Sequence, residues 1–464
     1  MKLKRKDVTL RSQKLALHLA RLLGESRIID DPDLLASVAG DESVCETVTP
    51  DLLIRVRNTE EIATVLTAAK QFEVPVTPRG GGTGKSGGAI PIFGGIVMDT
   101  SRMNQLIEVD RANLTAVVEP GMVLRQFQES VEDEGLFYPP DPNSLETCCI
   151  GGNVAHNAGG PRAFKYGVTR NYVMAVDAVL MGGETIGFGR RTIKCAAGYD
   201  LSGLLVGSEG TLAVFSRLRL SLIRKPPLLT TLLVLFPDEI SAGSAVSAIV
   251  EKGVRPRVME FLDRELVGII RQGGVDMVPP QTGALLLVEL DGKSESQLEE
   301  ELDQLGDICD DAGANDILVA KHGTDREKLW SARRVLTDAI KIRAKFKVAE
   351  DIAVPRSEIP RLLEQLKQLG ERDDIIVASY GHAGDGNFHV NVLYDDAELD
   401  VEPILKKIFE ITLDLKGTIT GEHGVGLAKK PYLPMEKSPA QLEWMRAQKR
   451  LFDPLGLLNP GKIF

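Results

Sequence analysis

Apolar residues recur at helical spacing in some stretches of the chain and at strand spacing in others. From Glu60 to Phe72, Ile62, Val65, Leu66 and Ala69 share one face behind Asn58 and Thr59, which predicts a capped helix; Val74 to Thr77 then predicts a short strand delivering a glycine loop. Ile96 to Met98 and Thr115 to Val118 predict further strands, and Gly121 to Glu134 a helix closed by Gly135. The stretch from Tyr138 to Gly160 is rich in Pro, Gly and Asn and predicts little regular structure; so much irregular backbone inside a compact domain usually lines a ligand. Strand patterns resume at Ala175 to Met181, and Leu204 to Val206 runs into Gly207-Ser208-Glu209-Gly210 before Thr211 to Phe215. After Lys225-Pro226-Pro227 the style changes. Strands at Leu228 to Phe236, Arg257 to Leu262, Ala284 to Leu290 and Asp316 to Lys321 are interleaved with helices starting at Asp238 and Ser294, a ferredoxin-like order. A Thr324-x-x-Glu327 capping box opens another helix, on which Arg333 and Thr337 sit four apart on one face. One more strand, helix and strand follow (Val348 to Val354, Ser357 to Leu369, Ile375 to Ser379), and a last helix is capped at Ser438-Pro439.

At 464 residues the chain is too long for one typical core and divides into two or three domains. Its net charge of -11 argues against a nucleic-acid surface. No apolar run reaches membrane-spanning length, and the basic start lacks the apolar segment of a secretory signal. Five cysteines (Cys45, Cys148, Cys149, Cys195 and Cys309) without metal-type spacing read as reduced thiols of a cytoplasmic protein and leave no room for an iron-sulfur cluster.

Candidate chemistry concentrates in glycine-punctuated motifs. Three of the six histidines fall in Gly381-His382-Ala383-Gly384-Asp385-Gly386-Asn387-Phe388-His389 and Gly421-Glu422-His423-Gly424. His382 and His389 lie an odd number of residues apart, so on one continuous strand they would face opposite ways; the Gly384-Asp385-Gly386 turn must fold the chain back for both to meet one ion. Asn391 would share the face of His389. Glu422 completes a two-histidine, one-carboxylate set suited to zinc, manganese or ferrous iron, and leaves His423 as a base. Ordinary surface histidines beside turn glycines are the alternative from spacing alone. The loop Pro78-Arg79-Gly80-Gly81-Gly82-Thr83-Gly84-Lys85-Ser86-Gly87-Gly88 imitates two nucleotide motifs and satisfies neither. A P-loop needs Gly where Arg79 stands, and both it and the dinucleotide fingerprint need a following helix that Gly87, Gly88 and Pro91 forbid. What survives is a loop of unhindered amides able to cradle a diphosphate.

Taken in order, Pro78 to Gly84, Pro139-Pro140-Asp141-Pro142-Asn143-Ser144, Gly151 to Gly160, Lys165-Tyr166-Gly167, Gly198-Tyr199-Asp200-Leu201, Gly207 to Leu212, the two histidine motifs and Asn459-Pro460-Gly461-Lys462 resemble the FAD-linked D-2-hydroxyacid dehydrogenases over nearly the whole chain. The resemblance is to glycolate oxidase D subunits and FAD-dependent D-lactate dehydrogenases, flavoproteins of vanillyl-alcohol oxidase type. It implies an α+β protein with a two-subdomain FAD-binding domain (1–225), a cap domain with a ferredoxin-like core (226–415) and a C-terminal segment (416–464) returning to the FAD domain. By the same resemblance Arg79, Gly80, Gly81, Gly82, Thr83, Gly84, Pro140, Asp141, Ser144, Gly152, Asn153, Asn157, Gly159, Tyr166, Gly167, Glu209, Gly210 and Asn459 would hold FAD. The binding would be noncovalent, because the first glycine loop has no histidine. His382, His389 and Glu422 would hold a divalent metal, zinc foremost and manganese or iron(II) as alternatives. His423 would be the catalytic base, and Arg333, Thr337 and Asn391 would bind the substrate carboxylate. His156 departs from the smaller or acidic residue that relatives carry.

The implied reaction is oxidation of D-lactate or glycolate to the 2-keto acid, with electrons leaving to an outside acceptor: an iron-sulfur subunit, an electron-transfer flavoprotein, a quinone or a cytochrome. D-2-hydroxyglutarate oxidation, a flavin-bearing electron-transfer subunit and a mononuclear iron oxygenase are the competing readings. The expected setting is the cytoplasm, with peripheral membrane association, a homodimer and membership of a larger complex all left open.

Overall fold

In a computed structural model the protein is described at residues 3–272, 278–320, 323–334, 340 and 343–464. Two compact units emerge, the first from Met1–Ala158, Val168–Lys225 and Glu422–Phe464, the second from Gly159–Gly167 and Pro226–Gly421. No helix among the described residues is long and apolar enough to cross a membrane.

Among the described residues three sheets build the first unit, the smallest a pairing of Leu136–Phe137 with Ile223–Arg224. Leu52–Arg55, Ile96–Asp99 and Val76–Arg79 form a three-stranded parallel sheet with Ile96–Asp99 in the middle. Helix Thr59–Phe72 makes the crossover between the two outer strands, Leu52–Arg55 and Val76–Arg79. Asn58 caps that helix by accepting from the Glu61 amide at 2.9 Å, and Ile62, Val65, Leu66 and Ala69 are its buried stripe. The second sheet is antiparallel, in the order Leu106–Asp110, Thr115–Val118, Val214–Ser221, Val173–Val179, Thr185–Gly189. The C-terminal segment closes the parallel sheet: the Val76 amide donates to Leu457 at 2.8 Å and the Asn459 amide to Val76 at 2.7 Å, placing Leu457 and Leu458 in its core.

Three differences from the sequence reading matter. Helix Arg5–Leu23 was not expected; it buries Val8, Leu15 and Leu19 along one stripe. Arg264–Gln272 and Glu402–Asp414 are likewise unforeseen helices. Within the stretch expected to be irregular, Ile150–His156 is helical despite two glycines, because Gly151 presses onto Pro120 with its amide donating to the Pro120 carbonyl at 2.7 Å. A Cβ at Gly151 would lie 2.6 Å from Pro120, so tertiary contact overrides weak propensity.

The second unit is one seven-stranded antiparallel sheet, in the order Asp316–Ala320, Leu228–Phe236, Ala284–Gly292, Val258–Leu262, Ile376–His382, Asn387–Tyr394, Phe346–Ala353. Helices Glu239–Glu251 and Glu295–Asp311 begin where expected, the Asp238 side chain accepting the Ser241 amide and the Ser294 side chain the Gln297 amide. One face buries Leu233, Leu235, Leu262, Leu285, Leu287, Ala378 and Leu393 against Leu266, Val267 and Ile270 of helix Arg264–Gln272. Strand period and register place Glu260, Tyr380, His382, His389, Asn391 and Asp351 on that same face. Gly159–Gly167 is anchored here as well: Lys165 Nζ reaches Asp291 at 2.5 Å and the Tyr166 hydroxyl donates to Asp291 at 2.7 Å.

Candidate active site

The histidine motif is a tight hairpin. Ile376–His382 ends on the first histidine, the chain turns through Ala383 to Gly386, and Asn387–Tyr394 returns with Tyr380 opposite His389 and His382 opposite Asn387. Gly386 makes the turn possible: its φ is +81°, and a Cβ there would lie 2.1 Å from the Val354 carbonyl. Folding back brings the two imidazoles to a centroid separation of 5.6 Å with perpendicular planes, both buried. His382 Nδ1 pairs with the fully buried Glu260 carboxylate. With the proton on Nδ1, the lone pair lies on Nε2, which is how metal-binding imidazoles are commonly oriented. Two buried histidines so arranged are a donor set that fits zinc, manganese or iron(II). Asn391, fully buried, donates from Nδ2 to the carbonyls of Ala378 (3.1 Å) and His389 (3.2 Å).

Glu260 and Asp351 escaped the sequence reading. Each is an acidic residue inside a strand, and no local motif marks it; burial within Val258–Leu262 and Phe346–Ala353 is visible only once the sheet has formed. Arg333 falls on the helix Gly323–Arg334 with its side chain outside the described set, and Thr337 lies outside the described residues.

The remaining motifs lie in the first unit, apart from Gly159, Tyr166 and Gly167, which belong to the second. The Arg79 to Gly84 loop leaves the end of Val76–Arg79 and packs on the 147–149 backbone so closely that a Cβ at Gly81 would stand 2.3 Å from the Thr147 carbonyl. Gly82 has φ +71°, and a Cβ there would overlap the Arg79 guanidinium, which itself donates to the Gly40 carbonyl at 2.6 Å. Gly152 faces open space. Asn157 ends its helix in the left-handed region, and its side chain accepts from the Arg170 amide at 2.9 Å. Pro140 offers its carbonyl to Gln128 at 2.8 Å, and Asn153 and Asp141 are buried. Ser144 accepts the Cys148 amide at its carbonyl at 2.8 Å.

Glu209 holds the loop after His423: its carboxylate accepts from the Val425 amide at 2.8 Å and the Gly426 amide at 2.7 Å. Asn459 Nδ2 donates to the carbonyls of Glu209 (2.8 Å) and Gly88 (2.9 Å), joining three motifs distant in sequence. His156 Nδ1 donates to the His423 carbonyl at 3.2 Å and so also fastens this loop. Glu422 and His423 open the last stretch of this unit, immediately after Gly421.

These residues fit a flavin dinucleotide. Among the described residues the Ser86 and Ser208 hydroxyls and the Asn459 carbonyl oxygen are buried with no protein partner, beside glycines whose cradle a Cβ would fill. Burial lowers the pKa of Arg79 below its ordinary value and brings that of Lys462, whose Nζ donates to the Ile90 carbonyl at 2.6 Å, down to about 8. Cations withdrawn from water in this way are paired with anions at little further desolvation cost.

Residues 225–463 match the model of the C-terminal domain of FAD-linked oxidases, and residues 50–189 match that of an FAD binding domain. The chain belongs to the FAD-linked oxidase family. This FAD-linked oxidase is 40% identical over 419 residues to glycolate oxidase subunit GlcD of Bacillus subtilis, covering 89% of each chain. It is 36% identical to D-lactate dehydrogenase of Anaerostipes hadrus, again over 89% of each. D-2-hydroxyglutarate dehydrogenase of Stutzerimonas stutzeri is 32% identical, over 96% of this chain and 98% of that one. Among solved structures, p-cresol methylhydroxylase with substrate bound has a TM-score of 0.79 at 14% identity, covering 98% of this chain and 96% of the other. The oxidase is therefore an FAD-dependent oxidoreductase with the expected α+β, vanillyl-alcohol oxidase type fold.

Proposed function

We propose that the protein oxidises a small D-2-hydroxy acid, D-lactate or glycolate, to the 2-keto acid, using noncovalent FAD and a divalent metal. The buried His382–His389 pair, with His382 held by Glu260 in an FAD-linked oxidase, carries this reading. Relatives named glycolate oxidase, D-lactate dehydrogenase and D-2-hydroxyglutarate dehydrogenase support the substrate class.

When bound, FAD supplies the two-electron acceptor, and the ion supplies a Lewis acid that lowers the pKa of the substrate hydroxyl. His382, His389 and Glu422 would hold that ion, zinc best matching the donor set. His423 takes the hydroxyl proton as general base, while Arg333, Thr337 and Asn391 bind and orient the substrate carboxylate. The cradle from Arg79 to Gly84, with Asn153, Asn157, Glu209 and Asn459, holds the dinucleotide. Substrate size is argued from strand Phe346–Ala353: Ala349-Glu350-Asp351 offers no cation to a second substrate carboxylate, which favours lactate or glycolate. Lys347, exposed on the same strand, supports D-2-hydroxyglutarate as the second reading. With five uncrosslinked cysteines and no cluster spacing, the electrons pass to an outside acceptor, either an iron-sulfur subunit, an electron-transfer flavoprotein, a quinone or a cytochrome.

Anaerobic titration of the purified protein with D-lactate, L-lactate, glycolate and D-2-hydroxyglutarate tests the proposal through bleaching of the oxidised flavin band. Bleaching by a D-acid or glycolate, lost on removing the metal and restored by zinc, is expected. His423→Asn should keep FAD and slow flavin reduction by roughly 10²–10⁴-fold. Normal reduction in that variant would refute the base assignment.

A further inference from the structure

We propose that Asp351 is the positioning residue of the metal centre, tying the histidine hairpin and the backbone in front of Glu422 to a single strand. The inference rests on the metal reading above.

Asp351 is fully buried near the end of the edge strand Phe346–Ala353, directly opposite His389. Its carboxylate accepts from Asn387, Thr420 and Gly421. Oδ1 accepts from Asn387 Nδ2 at 2.6 Å and from the Gly421 amide at 3.1 Å; Oδ2 accepts from the Thr420 hydroxyl at 2.8 Å. Asn387 opens the strand that carries His389 and lies opposite His382, so it sits between the two histidines. Thr420 and Gly421 are the two residues before Glu422. One carboxylate thus fixes the start of the strand that carries His389 and the two residues that precede Glu422.

Other contacts show how closely these segments are held. Asn387 Nδ2 also donates to the Ile352 carbonyl at 2.8 Å, and Ala353 and Thr418 exchange backbone bonds of 3.2 and 2.8 Å. A Cβ on Gly421 would lie 2.2 Å from Asn387 Nδ2 and 3.0 Å from Asp351 Oδ1, so only glycine admits this approach. Burying a carboxylate is costly unless several hydrogen bonds compensate it, and charge-assisted bonds are about twice as strong as neutral ones. A metal site needs its ligands held to about 0.5 Å, and two carboxylate oxygens fanned over donors from two segments meet that need.

The test is Zn²⁺ affinity of the full-length, FAD-containing protein, measured by competition with a chromophoric chelator without substrate. His389→Ala and Asp351→Ala should each weaken Zn²⁺ binding by about 10–100-fold while FAD content is retained. Asp351→Asn should recover most of the Asp351→Ala loss, since its amide oxygen still accepts from Asn387 and Gly421 and its NH₂ donates to the Thr420 hydroxyl. If Asp351→Ala binds Zn²⁺ like the wild type while His389→Ala does not, the positioning role is refuted and the metal reading stands. Wild-type affinity in His389→Ala overturns the metal reading and this inference with it. If Asp351→Asn binds as weakly as Asp351→Ala, the charge and not the hydrogen-bonded joint is what matters, and the role is refuted. Should Asp351→Ala fail to fold, Thr420→Val removes one donor alone; a weakened affinity supports the joint, and an unchanged one overturns it.

Discussion

Asp263 is buried at the start of helix Arg264–Gln272, where its carboxylate accepts the Leu266 amide at 3.0 Å and the Ser379 amide. Burial pushes its pKa up from 3.8 to about 8, against the pull of those two amides. The folded protein then holds a proton that the unfolded chain releases near pH 4, so the contribution to stability is complete below that pH and is lost as pH rises through 8. Urea unfolding between pH 5 and 9 should show stability declining with pH, and Asp263→Asn should flatten that decline; an unaltered slope in the variant would assign it to other groups. Individual residues divide by whether a motif marks them. His382, His389, Glu422 and His423 stand out because glycine punctuation surrounds them. Glu260, Asp351 and Asp263 give no such signal, since what distinguishes each is a partner more than 30 residues away in sequence.

Elements with a side-chain cap and a clear stripe were the legible ones. Asn58, Asp238, Ser294 and Ser438 each accept an amide of the first helical turn, and the helix start at each was readable from these residues. Ile150–His156 was not, because it forms on the strength of Gly151 packing against Pro120 and carries no propensity of its own. The glycine loop shows the same dependence on a distant neighbour. Gly81→Ala places a methyl 2.3 Å from the Thr147 carbonyl, backbone that cannot swing aside. The expected outcome is loss of copurified FAD with a lowered melting temperature, both read in one absorbance-monitored thermal melt. A variant that stays fully yellow with wild-type stability would place the cofactor cradle elsewhere.

On the scale of the whole molecule, each unit is assembled from separated stretches of chain. Lys449 Nζ donates to the Thr211 and Leu458 carbonyls at 2.7 Å each, and Lys462 reaches the Ile90 carbonyl, so the last turns of the chain stitch loops that are hundreds of residues earlier. Deleting residues 453–464 should therefore release FAD and lower the first unit's melting temperature, measured by flavin absorbance and circular dichroism; retention of both would show that the remaining core suffices. Family, fold class and the identity of most candidate ligands were determined by the sequence itself, because ordered motifs with fixed spacing and special glycine conformations are local properties. Tertiary structure alone decided that Gly159–Gly167 joins the second unit, that Glu209 spends its carboxylate on the amides after His423, and that Glu260 and Asp351 stand behind the histidines. Those outcomes depend on sheet register and on pairings between distant segments, and a hydrogen bond formed only when two strands meet leaves no periodic trace along either one.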